Sequence, residues 1–214
     1  MVALSTSTDP AGQPAARQGR QPSTTQAELS HIALELFKEQ GFENTTVDAV
    51  ASAAGIGRRT LFRYFPSKND LPWGDFDSEL DQMRDHLATL PEGTPLVQAL
   101  TAAVIEFNRF PAAEIPVHRE RMYLLLNVPA LVAHSTLRYA AWRQVVAEFA
   151  AARLQVPLGG IAPQTIAWAF LGASLAAYEQ WLEHEDADLL DLLDAAFVEM
   201  KTLFAGTEGE SHST

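Results

Sequence analysis

Apolar residues recur every three or four positions along most of this chain, and no segment alternates apolar with polar residues as a half-buried strand would. The pattern predicts an all-α protein of about nine helices. The first covers residues 23–40, with Ser and Thr cap residues at its start, Leu29, Ile32, Ala33, Leu36 and Phe37 on one face, and Gly41 as its stop. Thr45 or Thr46 caps a short second helix carrying Val47, Val50, Ala51 and Ala54, and Gly55 gives the backbone the freedom for a tight turn. A third helix over residues 57–65 stops before Pro66, because the residue preceding a proline is pushed out of the helical region. Two short helices joined by a glycine turn make a helix-turn-helix. Ser67, Lys68, Asn69 and Asp70 read as the start of the next helix.

Further helices are expected over 74–90, 94–110, 116–127, 130–154, 163–185 and 188–204, with breaks at Pro91-Glu92-Gly93, Pro111, Pro129, Gly159-Gly160 and Asp186. The last carries an apolar stripe of Leu189, Leu193, Ala196, Phe197, Met200, Leu203 and Phe204, and the one before it mixes Trp168, Leu171 and Leu175 with Gly172 and Ala176. Core packing alone explains either stripe. The uncharged stretch 154–178 contains Pro157, Gly159, Gly160 and Pro163, and its unbroken remainder falls short of the ~20 apolar residues that a membrane span needs. The expected organisation is a disordered tail over 1–22, a helix-turn-helix domain over 23–70, a larger helical domain over 71–206, and a second disordered tail over 207–214.

Charge changes this picture most. The net charge of -12 is uneven: residues 17–70 hold seven Lys/Arg against six Asp/Glu, whereas from Leu71 onward eight basic residues face twenty acidic ones. An N-terminal module that tolerates a polyanion is thus joined to an acidic body that does not. Four cations, Arg58, Arg59, Arg63 and Lys68, crowd the third helix and the turn after it. At 3.6 residues per turn, Arg59, Thr60, Arg63 and Tyr64 fall on one side of that helix and Leu61 and Phe65 on the other. Phe62 lies near the boundary, and Arg58, in the first turn, reaches sideways. The major groove admits one helix, and arginine there bonds bidentately to guanine. Arg17 and Arg20 form either a minor-groove arm or a solvated tail.

The stretch GFENTTVDAVASAAGIGRRTLFRYFPSKNDL, residues 41–71, resembles the DNA-binding domain of the Tet repressor (TetR) family of bacterial transcriptional regulators. That resemblance implies that Thr46, Tyr64 and Lys68 hold phosphates while the third helix enters the major groove. Arg58, Arg59, Thr60, Phe62 and Arg63 are then the base-reading candidates. Gly57 and Arg59 stand where the family usually has small residues, often Ser at the first, so the cap is weaker and one cation is added. The resemblance further implies a homodimer through the last two helices on a palindromic operator. GRRTLFRYFPSKNDLPWGDFD, FNRFPAAEIPVHRERMYLLLNVPAL and AAYEQWL resemble a branch of the family tied to biosynthesis of a peptide-derived redox cofactor; the link to those genes comes from the resemblance alone.

For the body, Phe107, Phe110, Met122, Leu125, Trp142 and Phe149 are either plain core or the lining of an effector pocket, with Arg109, His118, Arg119 and Arg121 nearby to anchor an anionic head. A fatty acyl-CoA is the first ligand expected, because relatives in the family sense such molecules; alternatively these cations bond helix C-termini and neighbouring carboxylates. No catalytic residue, metal site or cofactor is expected. The chain has no cysteine, its six histidines include no pair four apart on one helix, and Gly55-Ile-Gly57 meets Thr60 where a dinucleotide fingerprint needs a third glycine. Lack of cysteine fits a reducing cytoplasm. The rival from another class is a helical small-molecule-binding or scaffold protein without specific DNA binding.

Overall fold

The computed structural model describes residues 25–205, so Ser23, Arg17, Arg20 and both expected tails lie outside the described residues. Nine α-helices and one 3-10 turn make up those residues, with no strand among them: α1 (Gln26–Gln40), α2 (Val47–Ala53), α3 (Arg58–Tyr64), the turn Lys68–Trp73, α4 (Phe76–Thr89), α5 (Leu96–Phe107), α6 (Ile115–Asn127), α7 (Pro129–Leu154), α8 (Ile161–Glu183) and α9 (Leu189–Ala205). The residues expected to open a full helix at 67–70 instead wind the tighter 3-10 turn. Pro72 lies inside it, and a ring that offers no N–H and crowds the preceding turn does not extend an α-helix.

Local chemistry accounts for the N-terminal unit. Thr25 and Glu28 form a capping box, the Thr25 hydroxyl accepting from the Glu28 amide at 3.1 Å and the Glu28 carboxylate from the Thr25 amide at 2.9 Å. Thr46 caps α2 by accepting from the Ala49 amide at 3.1 Å. Gly55 takes a φ of +66° in the turn to α3, a conformation that side chains resist. Gly41 ends α1 with φ +83° but ψ 147°, outside the left-handed helical well expected of it. Leu29, Ala33 and Phe37 of α1 close on Val50, Ala51, Leu61 and Phe65, all buried. Ile32 and Leu36 stay partly exposed while Leu34 is buried.

The body winds around α7, which packs on α4, α5, α6 and α8, while α8 and α9 lie side by side. Arg153 near the end of α7 donates to the carbonyls of Pro91, Glu92 and Thr94, tying down the connection between α4 and α5. Pro129 starts α7 rather than breaking it, since a first-turn proline loses no helical hydrogen bond. No described helix is long and apolar enough to cross a membrane. The 3-10 turn is the joint between the two units: it packs on α1, α6 and α7, and α1 also meets α6.

Candidate nucleic-acid interface and effector cavity

α3 divides sharply by side. Leu61 is 1% exposed and Phe65 is likewise buried, while Arg58, Arg59, Phe62 and Arg63 are exposed and Thr60 and Tyr64 half-buried. Arg58 forms an ion pair with Asp48 of α2 at 2.8 Å and lies 5.4 Å from the Phe62 ring centre. Arg63 stacks toward Tyr64 at 5.5 Å. The Asp48 pair escaped the sequence reading because the partner sits ten residues upstream on another helix. Gly57 begins α3 without a side-chain cap, leaving the first amide groups of the helix unfilled. Lys68 is poised at the end of this surface, its ammonium 4.2 Å from the Phe42 ring centre and donating to the Glu43 carbonyl at 3.4 Å. Thr46 is exposed on the same unit.

In the body, an internal cavity of about 80 Å³ separates the 3-10 turn and α4 from α6, α7 and α8. Of the residues proposed from sequence for a ligand, Phe107, Phe110, His118, Arg121, Met122, Leu125 and Trp142 line it. Arg109, Arg119 and Phe149 do not. Arg109 pairs with Glu106 at 2.9 Å on the surface. Arg119 donates to the carbonyls of Trp181, His184 and Glu185 and covers the Trp181 ring, so it caps the end of α8. Phe149 lies under Arg153. Trp73, Phe76, Glu79, Asn108, Tyr139, Ser174 and Tyr178 complete much of the wall and were not foreseen, since they come from four different elements and the loop after α5.

The cavity wall holds polar groups in a defined state. Asn108 turns its amide nitrogen to the Val104 carbonyl at 2.7 Å, so its oxygen accepts the Tyr178 hydroxyl at 2.5 Å. Tyrosine has one proton, so the 2.8 Å contact between Tyr178 and His118 requires Nε2–H of His118 to donate. His118 Nδ1 is left as a bare acceptor with no partner. Burial, aided by the Arg121 charge, lowers the His118 pKa to about 3, so the ring is neutral. Glu79 shifts upward, chiefly by burial and further by Asp75 and Glu114. Burial also disfavours the Arg121 charge, opposed by Glu79. Of six buried side-chain atoms without a hydrogen-bond partner among the described residues, four belong to this wall: Trp73 Nε1, His118 Nδ1, Arg121 Nε and Tyr139 Oη. Buried polar atoms are seldom left unpaired, which sets this wall apart from ordinary core. Phe110, His118 and Arg121 also border a cleft against Glu28, His31 and Ile32 of α1. Among the described residues no three His, Asp or Glu gather to hold a metal ion.

A cationic helix on a small helical head, set on an all-helical body with an inner cavity, is the architecture of a helix-turn-helix regulator. The chain belongs to the TetR family of bacterial transcriptional regulators: residues 31–71 match the model of the bacterial regulatory proteins of the tetR family, and residues 94–205 match the MftR C-terminal domain. It is 46% identical over 181 residues, 85% of this chain and 91% of the relative, to a protein of Mycobacterium tuberculosis (strain ATCC 25618 / H37Rv) described as the mycofactocin biosynthesis transcriptional regulator MftR. It is 30% identical to the HTH-type transcriptional regulator TcmR of Streptomyces glaucescens, over 90% of this chain and 87% of that one. Among solved structures, Thermus thermophilus FadR, a TetR-family repressor in complex with lauroyl-CoA, shares the fold with a TM-score of 0.55 at 21% identity, covering 88% of this chain and 96% of that one. The protein is a transcriptional regulator of TetR type, and neither its family nor these relatives are enzymes.

Proposed function

We propose that this chain is a dimeric repressor of mycofactocin biosynthesis genes that leaves its palindromic operator when an amphipathic ligand enters the body. The observation that carries the DNA half of this reading is the division of α3, with two arginines, 59 and 63, exposed and, among the described residues, free of carboxylate partners above a buried Leu61. In this reading residues 23–70 hold DNA and residues 71–206 hold the ligand and the second subunit. Arg58, Arg59, Thr60, Phe62 and Arg63 read bases, and Thr46, Tyr64 and Lys68 fix register on phosphates. The partner subunit covers the face of small and apolar residues that α8 and α9 expose, Ala169, Ala173, Ala176, Met200 and Leu203, with Trp168 beside it.

The ligand is an amphipathic anion, with a long-chain acyl-CoA as first candidate. Support comes from an aromatic and aliphatic wall set with Arg121 and the unpaired donors of Trp73 and Tyr139, and from the lauroyl-CoA held by the Thermus relative of like fold. A cavity of about 80 Å³ is smaller than the ~150 Å³ that accommodates a benzene ring, so an acyl chain must part the walls to enter. That parting couples ligand to DNA by reciprocal linkage. The test is anisotropy of labelled DNA from upstream of the protein's own gene, at two salt concentrations, with random competitor DNA and with lauroyl-CoA. Selective, salt-dependent binding that lauroyl-CoA releases supports the whole reading. Selective binding without release retires the ligand, and failure to prefer the upstream DNA retires the operator.

A further inference from the structure

The joint between the two units converges on one carboxylate. Asp70, in the 3-10 turn, is 5% exposed, yet it makes four polar contacts. Its Oδ2 accepts from the Ser67 amide at 3.0 Å and the Ser67 hydroxyl at 2.7 Å, on the side that leads back to α3. Its Oδ1 accepts from His134 Nε2 and Arg138 Nη2, each at 2.8 Å, both on α7. Arg138 also reaches Asp77 of α4 at 3.3 Å. The hydrogen-bonding capacity of the carboxylate is filled by the joint on one oxygen and by the body on the other.

Such an arrangement is costly to assemble and therefore informative. Stripping water from a carboxylate disfavours its charge, but the bonds from Ser67, Arg138 and His134 outweigh this and hold the Asp70 pKa below its ordinary value. Loss of one buried partner leaves the remaining charge less compensated, so each partner contributes to holding the joint closed. The same turn ends in Trp73, in the cavity wall, and begins with Lys68, beside the candidate DNA surface. Six residues thus connect the cavity to the DNA face, with Asp70 clamped between.

We infer that Asp70, gripped by His134 and Arg138, is the latch that sets the angle of the helix-turn-helix on the body and thereby the spacing of half-sites that the dimer accepts. Asp70 touches no base or phosphate: it is a positioning residue, acting through the turn. The inference rests on the dimeric operator-binding reading above. With the latch closed, the two reading helices hold one separation, and moving the half-sites by one base pair shifts them by ~3.4 Å along the axis and by about a tenth of a helical turn. With the latch open, each head swivels about the joint and tolerates the shift.

The test measures binding of the full chain to its footprinted operator, to the same site with one base pair added or removed between half-sites, and to a single half-site. Wild type is expected to lose on the order of tenfold in affinity on the respaced sites, comparable to one mismatched base pair. Asp70→Asn and Arg138→Met are each expected to cut that loss to under about threefold, with half-site binding unchanged. Arg138→Lys, which keeps a cation at α7, should restore discrimination. Arg138→Met leaves Asp70 its Ser67 and His134 bonds and serves where Asp70→Asn does not fold. Wild-type spacing discrimination in the latch variants overturns the latch and leaves the regulator standing. Loss of half-site binding in folded variants also overturns it, since the defect would then lie in DNA contact. A wild type with no preference for its upstream DNA overturns the operator reading itself, and the latch with it.

Discussion

Two arginine sites in this molecule do opposite things with the same side chain. On α3, among the described residues, Arg59 and Arg63 stand in solvent with no carboxylate partner, and Arg58 is held by a single exposed ion pair to Asp48. In the body, Arg121 lies in a cavity wall near Glu79, with Nε unpartnered and its charge disfavoured by burial. An exposed cation keeps its hydration until a polyanion releases counterions around it, so its affinity is long-ranged and salt-dependent. A buried cation has given up that hydration and awaits a specific partner in a low dielectric. The first arrangement suits DNA, and the second suits a small ligand that must fit.

The sharpest way to break this comparison is to remove the support under the exposed site. Leu61→Ala should cost about 2–5 kcal/mol of stability by opening a cavity beneath α3, and differential melting should show the N-terminal unit loosening first. Next comes the cavity. His118 is neutral in the fold, so the unfolded chain takes up its proton first as pH falls below 6.5, and the folded chain follows only near pH 3. Stability is therefore full above about 6.5 and declines between those values, by at most about 1.4 kcal/mol per pH unit. Denaturant titrations across pH should show that slope, and His118→Gln should flatten it. For the DNA face, Arg63→Ala should lose about 1–3 kcal/mol on the operator and far less on random DNA, whereas Lys68→Ala should weaken both alike and lower the salt slope by about one. Equal losses for Arg63→Ala on both DNAs would deny it a reading role. The smallest effect belongs to Arg109→Ala, whose exposed pair with Glu106 contributes at most about 1 kcal/mol, and which should leave lauroyl-CoA titrations unchanged.

The second arrangement was partly hidden from the sequence for a physical reason. Arg109, His118, Arg119 and Arg121 look alike in a linear reading, but α6 turns 118, 121, 122 and 125 toward the core, while Arg119 faces the end of α8 and Arg109 leaves α5 toward solvent. Three of these four therefore separate by helix phase and one by its place in a loop. Phe149 and Trp142, seven residues apart on α7, are both candidates for the wall in the sequence; the structure keeps Trp142 there and puts Phe149 under Arg153. Glu79, Tyr139 and Tyr178 gave no signal, because nothing local distinguishes a polar residue in a cavity wall from one on a surface.

What the sequence alone determined is whatever local rules decide. Those rules are apolar spacing for about nine helices, a threonine at 45 or 46 and Gly55 for the cap and turn, Pro66 for the end of α3, and a cluster of cations in an otherwise acidic chain. These features need neighbours only a few residues away. The tertiary structure alone decided which cations stay wet, which polar atoms go unpaired around the cavity, and that Asp70 meets His134 and Arg138 more than sixty residues later. Burial and long-range pairing are properties of how helices pack, and a helix phase a few tens of degrees away would have sent the same side chains elsewhere.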